Sequence, residues 1–323
     1  MGGRGPQPLR DDDPREIAGY ALRARIGEGG MGTVFLTRGR DGASLPVALK
    51  LIRREHARSE KFRRRFAREV EAARRVSGPH LVQVVDHDAE ADLPWLATRY
   101  VPGLPLGDAL AGHGPLPPEC VLGLTAGAAR ALDAVHTAGF VHRDVKPGNL
   151  LLSAEGPWLL DFGIARAADG TSVLTTVGRM VGTPKYMSPE HALGRQVTPA
   201  SDVFTLGLVA AEAATGRHPY GEGGGLVVAT RIAGTDRDPP DLSAHPPALR
   251  RLLAATLTAR PEDRPTAAEV AQLCGAGTDF AAAGWLPKRV ASAVTAIARA
   301  SAKVSPDARD PRTGWLHRLR GDA

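Results

Sequence analysis

The sequence predicts an α+β chain of two unequal units, a small β-rich one followed by a larger, mostly helical one. Three observations predict it. Between about residues 17 and 98 the runs YALRARI, TVFLTR, PVALKLI, LVQVVDH and PWLAT have strand character, and only the stretch 59–76 reads as a helix. From about residue 104 the apolar residues fall at helical spacing instead. The segment RYVPG, 99–103, is the short join between the two, and joins of that kind border clefts where ligands sit. At 323 residues the chain is long enough to give each unit a core.

Taken in order, residues 1–16 are mostly Gly, Pro, Arg and Asp without periodicity and are expected to be disordered. The folded region then runs from 17 to 275, with the β-rich unit at 17–98, the join at 99–103 and the helical unit at 104–275. In PECVLGLTAGAARALDAVHTAG, Val121, Leu122, Leu132 and Val135 share helical spacing, Pro117 and Pro118 mark the start, and Gly139 marks the stop. SDVFTLGLVAAEAATG is apolar almost all round, so it must be a buried helix, and ALRRLLAATL and TAAEVAQLC follow as further helices. The remainder, 276–323, is a basic tail with an amphipathic helix at about 286–304. Leu286, Val290, Val294, Ile297 and Val304 form one face of it, and Lys288, Arg289, Arg299 and Lys303 the other. Such a helix docks on the second unit or frays in solution, or else meets a membrane surface or a partner.

Composition narrows the function classes. With 43% apolar and 24% charged residues this is globular-protein usage. No apolar run is long enough for a transmembrane anchor, and MGGRGPQPLRDDDPRE has no apolar core for a signal peptide, so a cytoplasmic location is expected. The charge of +6 comes from arginine, 35 Arg against 6 Lys, but no basic run is interleaved with aromatics, and no nucleic acid partner is expected. Cys120 and Cys274 match no metal-ligand spacing and read as plain thiols.

Three constellations carry chemistry. The first, IGEGGMGTVF, contains Gly27, Gly29 and Gly32 as G-x-G-x-x-G. Glycines also mark any tight turn, but here they pass into TVFLTR and PVALKLI, so they bend a β-hairpin whose backbone N–H groups can approach phosphate oxygens. The second is Lys50 in VALKL; a strand lysine is often simply solvated, but the following helix supplies a carboxylate to hold it, either Glu69 or Glu71. Helical geometry points those two about 200° apart, so only one faces the cleft.

The third is FVHRDVKPGNLLLSAEGPWLLDFG, 140–163. Asp144 and Asn149 lie on one loop and Asp161 follows a short hairpin. A carboxylate and an amide carbonyl with phosphate oxygens make a reasonable Mg²⁺ site, Asp144 is then placed to accept the proton of an attacking hydroxyl, and Lys146 lies beside the transferring phosphoryl group.

Together these motifs resemble the bacterial eukaryotic-like, Hanks-type, serine/threonine protein kinases over about 17–275. The resemblance rests on G-x-G-x-x-G-x-V at 27–34, V-A-L-K at 47–50, H-R-D-V-K-P-G-N at 142–149, D-F-G at 161–163 and S-P-E at 188–190, in that order. It implies the two-lobed protein kinase fold, with ATP in the cleft and adenine near Val34, Ala48, Tyr100, Val101 and Leu151, with Thr98 behind it. It also implies that Lys50, paired with Glu69, binds the α and β phosphates, that Asn149 and Asp161 hold Mg²⁺ or Mn²⁺, and that Asp144 is the catalytic base. Lys146 and Thr183 resemble the Ser/Thr-specific form, so protein seryl and threonyl hydroxyls are the expected acceptors. Asp202 would bond the catalytic-loop backbone and Glu190 would pair with Arg264. Arg143 beside Asp144 suggests a loop ordered by phosphate, with autophosphorylation at Thr175 or Thr176, or at Thr171, through a transient homodimer. Ser188 departs from the usual alanine. The alternatives are a pseudokinase, a nucleotide-binding scaffold without transfer, and a small-molecule phosphotransferase.

Overall fold

The computed structural model describes residues 5–39, 45–160, 184–275, 280 and 284–304. The first lobe is an antiparallel sheet of β1 (Glu16–Ile17), β2 (Tyr20–Glu28), β3 (Gly32–Arg38), β4 (Pro46–Ile52), β5 (Val84–Asp88) and β6 (Trp95–Arg99), in the order β1-β2-β3-β4-β6-β5. Between β4 and β5 come a short helix α1 (Arg54–Ala57) and α2 (Glu60–Arg74). Helix α2 starts where Ser59 accepts a hydrogen bond from the Phe62 amide. Its apolar stripe Phe62, Phe66, Val70 packs on Ile52, Ala89 and Leu96 of one sheet face. Tyr20, Val47, Leu49, Trp95 and Ala97 close the opposite face.

Two expectations for this lobe change. Residues 1–16 are not uniformly a disordered lead-in: from Gly5 onward the segment lies along β2. The Gln7 and Arg25 backbones exchange two 2.8 Å hydrogen bonds, and Asp13 pairs with the Arg25 guanidinium at 3.4 Å in a largely buried site. A polar segment needs no apolar residues of its own when a strand edge satisfies its backbone. The run LVQVVDH yields a strand only from Val84, because residues 80–82 pair with the other lobe instead: Leu81 bridges Leu159, and the Leu159 amide donates to His80 O at 2.7 Å.

The second lobe begins with β7 (Leu104–Pro105), α3 (Leu106–His113) and α4 (Pro118–Thr137), followed by the hairpin β8 (Leu150–Ser153) and β9 (Gly156–Leu159). Then come α5 (Pro189–Ala192), α6 (Pro199–Thr215), α7 (Gly225–Ala233), α8 (Pro247–Thr256), α9 (Ala267–Leu273) and α10 (Lys288–Val304). Helix α6 opens on a reciprocal cap between Thr198 and Ser201 with Pro199 in its first turn, and ends at Gly216 in the left-handed region, φ 71°. As its uniform apolarity requires, it is the centre of the core, packed by α4, α8 and α9. The short helices α1, α3 and α7 carry too few periodic positions to announce themselves in sequence.

The tail helix expected at 286–304 is α10, and its use is settled by packing: Leu286, Val290, Val294 and Ile297 belong to the core of the second lobe. The apolar face named for a membrane surface or a partner is therefore already covered, while Lys288, Arg289, Arg299 and Lys303 stay outside. Both thiols are free; Cys120 donates to Trp285 O at 2.9 Å, and burial pushes its pKa up to about 11 and that of Cys274 to about 12.

Glu190 and Arg264 form a buried bidentate pair, both contacts 2.9 Å, that joins the end of the second lobe to α5. Burial acts to raise the Glu190 pKa, but the Arg264 hydrogen bonds and charge, with Ser201, outweigh it and hold the carboxyl below its ordinary value. Arg264→Leu would strand that carboxylate in the interior. It is expected to lower unfolding free energy by about 3–5 kcal/mol, read from urea denaturation at neutral pH, and an unchanged midpoint would contradict this role.

Candidate functional site

The site is built on α6. Asp202 in its first turn is 1% exposed and accepts hydrogen bonds from the His142 amide at 2.7 Å and the Arg143 amide at 2.8 Å, and the His136 Nε2 lies 2.8 Å from the same carboxylate. These bonds hold Arg143 at φ 65°, a left-handed conformation that costs a side-chain-bearing residue about 1–2 kcal/mol and survives only under such constraint. Val145, two positions on, is buried, so the chain between the two anchors presents Asp144 to the cleft.

Around Asp144 the geometry is close. Its Oδ2 receives Lys146 Nζ at 2.6 Å and Asn149 Nδ2 at 2.8 Å, and the same Nδ2 donates to the Asp144 carbonyl at 2.8 Å. With its amide nitrogen turned to Asp144, Asn149 turns its carbonyl oxygen away as a hard donor atom of the kind Mg²⁺ prefers. The Asn149 backbone carbonyl accepts from Leu160 at 2.8 Å, which fixes the second hairpin strand beside it. Asp161, Thr171, Thr175, Thr176 and Thr183 lie outside the described residues.

The opposite wall is the inner face of the sheet. In register, Val34 faces Lys50, which faces Leu96, and Leu36 faces Ala48, which faces Thr98. Strand alternation puts Ala48, Lys50 and Ile52 on one side of β4, and Ile52 packs under α2, so the Lys50 side chain leaves the sheet on the α2 side. Strand β4 is flanked on both sides, so Lys50 does not sit on an edge. On α2, the two carboxylates separate as helical geometry requires: Glu71 is half-exposed and pairs with Arg74 at 3.1 Å and His87 at 3.4 Å, whereas Glu69 is partly buried.

The three glycines differ in what they do. Gly29 donates to Gly32 O at 2.9 Å to close the hairpin bend, and a side chain there would meet nothing within 4 Å. Gly27 faces Val34 at ordinary contact distance. At Gly32 a Cβ would stand 2.1 Å from the Leu51 carbonyl oxygen, so only glycine allows β3 and β4 to approach there.

At the join, Tyr100 donates its amide to Pro46 O at 3.0 Å and Val101 is buried. Gly103 is packed so closely on β8 that a Cβ would lie 2.7 Å from Leu151 Cγ, which places Leu151 directly under the hinge. Val34, Ala48, Tyr100, Val101 and Leu151 thus line the join and the two strands facing it. Sequence reasoning missed His136, whose signal is a single histidine in the last turn of a mostly apolar helix, and Ser301, which has no local signal.

Below the cleft the segment 184–188 rests on α6. The Tyr186 hydroxyl donates to Glu212 Oε2 at 2.6 Å, and His218 Nε2 lies 2.8 Å from Lys185 O. Burial raises Glu212 and Tyr186 above their ordinary ranges. Burial lowers the His218 pKa to about 4; the Lys185 carbonyl opposes this and the Lys185 charge adds to it.

Comparison with known proteins points the same way. The family model of the protein kinase domain matches residues 20–273. The chain is 46% identical over 302 residues to the probable serine/threonine-protein kinase PkwA of Thermomonospora curvata, covering 93% of this chain and 40% of that one. It is 44% identical over 289 residues to the serine/threonine-protein kinase AfsK of Streptomyces coelicolor, 87% of this chain and 35% of that protein. It therefore spans less than half the length of these curated relatives. Among solved structures, the kinase domain of Mycobacterium tuberculosis PknI superposes with a TM-score of 0.62 at 30% identity, covering 80% of this chain and 96% of that domain.

Gly32→Ala must push β4 away and is expected to cost about 2 kcal/mol or more, whereas Gly29→Ala stays within about 0.5 kcal/mol; equal costs in urea denaturation would contradict the assignment. For His218, the folded pKa of about 4 lies below the ordinary 6.5, so as pH falls the unfolded chain takes up its proton first. Its contribution is complete above pH 6.5 and is lost between 6.5 and about 4, up to roughly 3 kcal/mol. His218→Gln should flatten the dependence of unfolding free energy on pH across that window.

Proposed function

The chain belongs to the protein kinase domain family, as a bacterial Hanks-type serine/threonine protein kinase, and from that premise we propose how its own residues divide the transfer of phosphate. The family uses ATP and a divalent metal ion and acts on protein hydroxyls.

In this reading Asp144 accepts the proton of a seryl or threonyl hydroxyl as that oxygen bonds the γ-phosphorus and the bond to the departing ADP oxygen breaks. Lys146, 2.6 Å from Asp144, stands beside the transferred group and offsets its charge. Lys50 binds the α and β phosphates with Glu69 orienting its ammonium, since Glu71 is already engaged by Arg74 and His87. Gly27, Gly29 and Gly32 form the cover, and adenine lies against Val34, Ala48, Tyr100, Val101 and Leu151, with Thr98 behind. Asn149 and Asp161 would hold Mg²⁺, or Mn²⁺ in its place, which when bound neutralises charge on the β and γ phosphates.

Regulation follows the same chemistry. Arg143 adjoins the catalytic carboxylate, and phosphate on Thr175, Thr176 or Thr171, placed there by a second copy in a transient homodimer, is the proposed switch. A reaction that consumes ATP belongs in the cytoplasm, where we place the domain; no helix among the described residues is long and apolar enough to cross a membrane.

The observation that carries this reading is Asp144 held by Lys146 and Asn149 on a loop fixed by Asp202. Purified protein and Asp144→Asn are incubated with ATP and Mg²⁺ or Mn²⁺, then analysed by intact mass and phosphopeptide mapping. The wild type is expected to acquire phosphate on Thr175, Thr176 or Thr171, and the variant to transfer about two to four orders of magnitude more slowly. Nucleotide bound without any transfer would instead indicate a scaffold.

A further inference from the structure

The two ends of the described chain meet beside the hinge. The last turns of α10 carry Ala300 and Ser301, and Ser301 is 6% exposed. Its hydroxyl lies 2.6 Å from the Tyr100 hydroxyl and donates its one proton to Ile297 O at 2.9 Å. A serine has a single O–H, so Tyr100 must be the donor to Ser301, giving a chain from the hinge phenol through the serine to the helix backbone. Burial of Tyr100 keeps its phenol above the ordinary pKa, so it remains a donor at neutral pH.

Tyr100 is thus held from two sides. Its amide donates to Pro46 O at the start of β4, in the first lobe, and its hydroxyl is held by a helix rooted in the second lobe through Val290, Val294 and Ile297. A second link runs from the same helical turn. Gly5 lies against Ala300, where an added Cβ would stand 3.2 Å from the alanine Cβ, and two residues later Gln7 is bridged to Arg25 of β2. Arg25 immediately precedes Ile26 and Gly27, the entry to the glycine hairpin.

We propose that Ser301 is a positioning residue for the nucleotide, acting through Tyr100, and that α10 with residues 5–8 braces the two lobes across the hinge. This rests on the placement of adenine beside Tyr100 and Val101. The brace touches the wall against which adenine lies and leaves untouched the loop of Asp144, Lys146 and Asn149, which Asp202 fixes separately. Loss of the brace should therefore weaken nucleotide binding while phosphoryl transfer at saturation persists.

The test uses the full chain with Ser301→Ala and Ser301→Thr, the second keeping the hydroxyl. In Ser301→Ala the KM for ATP is expected to rise about fivefold to tenfold, as loss of one buried hydrogen bond implies, with kcat within about twofold and Ser301→Thr restoring the wild-type KM. Hydrogen exchange without nucleotide is expected to quicken at residues 99–103 and 5–8 in Ser301→Ala alone. An unchanged KM, a fall in kcat at constant KM, or equal effects of alanine and threonine would overturn the proposal. If the wild type binds no ATP, the nucleotide site is what fails, and exchange at the hinge then decides the brace: unchanged protection in Ser301→Ala overturns it.

Discussion

At 1% exposure, the carboxylate of Asp202 sits where an unpaired charge would be prohibitive, and it is tolerated because the His142 and Arg143 amides and the His136 ring surround it. That constraint runs in both directions. The helix keeps its buried charge only if the loop of His142 and Arg143 comes to it, and the loop holds Arg143 in a left-handed conformation only because the helix is there. Everything presented to the cleft from the second lobe, Asp144 first and Lys146 and Asn149 through it, inherits its position from this anchor.

The first lobe achieves rigidity differently. Its sheet is covered on both faces, and β3 and β4 approach so closely at Gly32 that the Leu51 carbonyl leaves no space for a side chain. The result is a wall bearing Lys50 opposite a loop fixed from below. Among the described residues the lobes meet at the hinge itself, at the pairing of residues 80–82 with β9, and where Gly5 and Tyr100 meet the last turns of α10.

Much of this was legible from residues. The glycine hairpin, Lys50, the Asp144 loop and the uniformly apolar helix appear where their patterns placed them, because each depends on neighbours within one or two elements. Helical spacing alone left Glu69 and Glu71 open, and the resemblance assigned Glu69; the structure adds that Glu71 is engaged by Arg74 and by His87 of β5, a contact not readable along the chain. Residues 5–16 misled for the reverse reason, since their composition is that of a solvated segment while the strand they lie on supplies the hydrogen bonds.

Read alone, the chain establishes the kinase family and its chemistry, because motif order and strand or helix periodicity are properties of local covalent sequence. Packing alone decides that α10 turns its apolar face to the second lobe and not to a membrane or a partner, that Ser301 meets Tyr100, and that Gly5 meets Ala300. Amphipathicity says that a helix must cover one face but not with what, and contacts between residues so far apart in sequence exist only once both lobes have folded and brought them together.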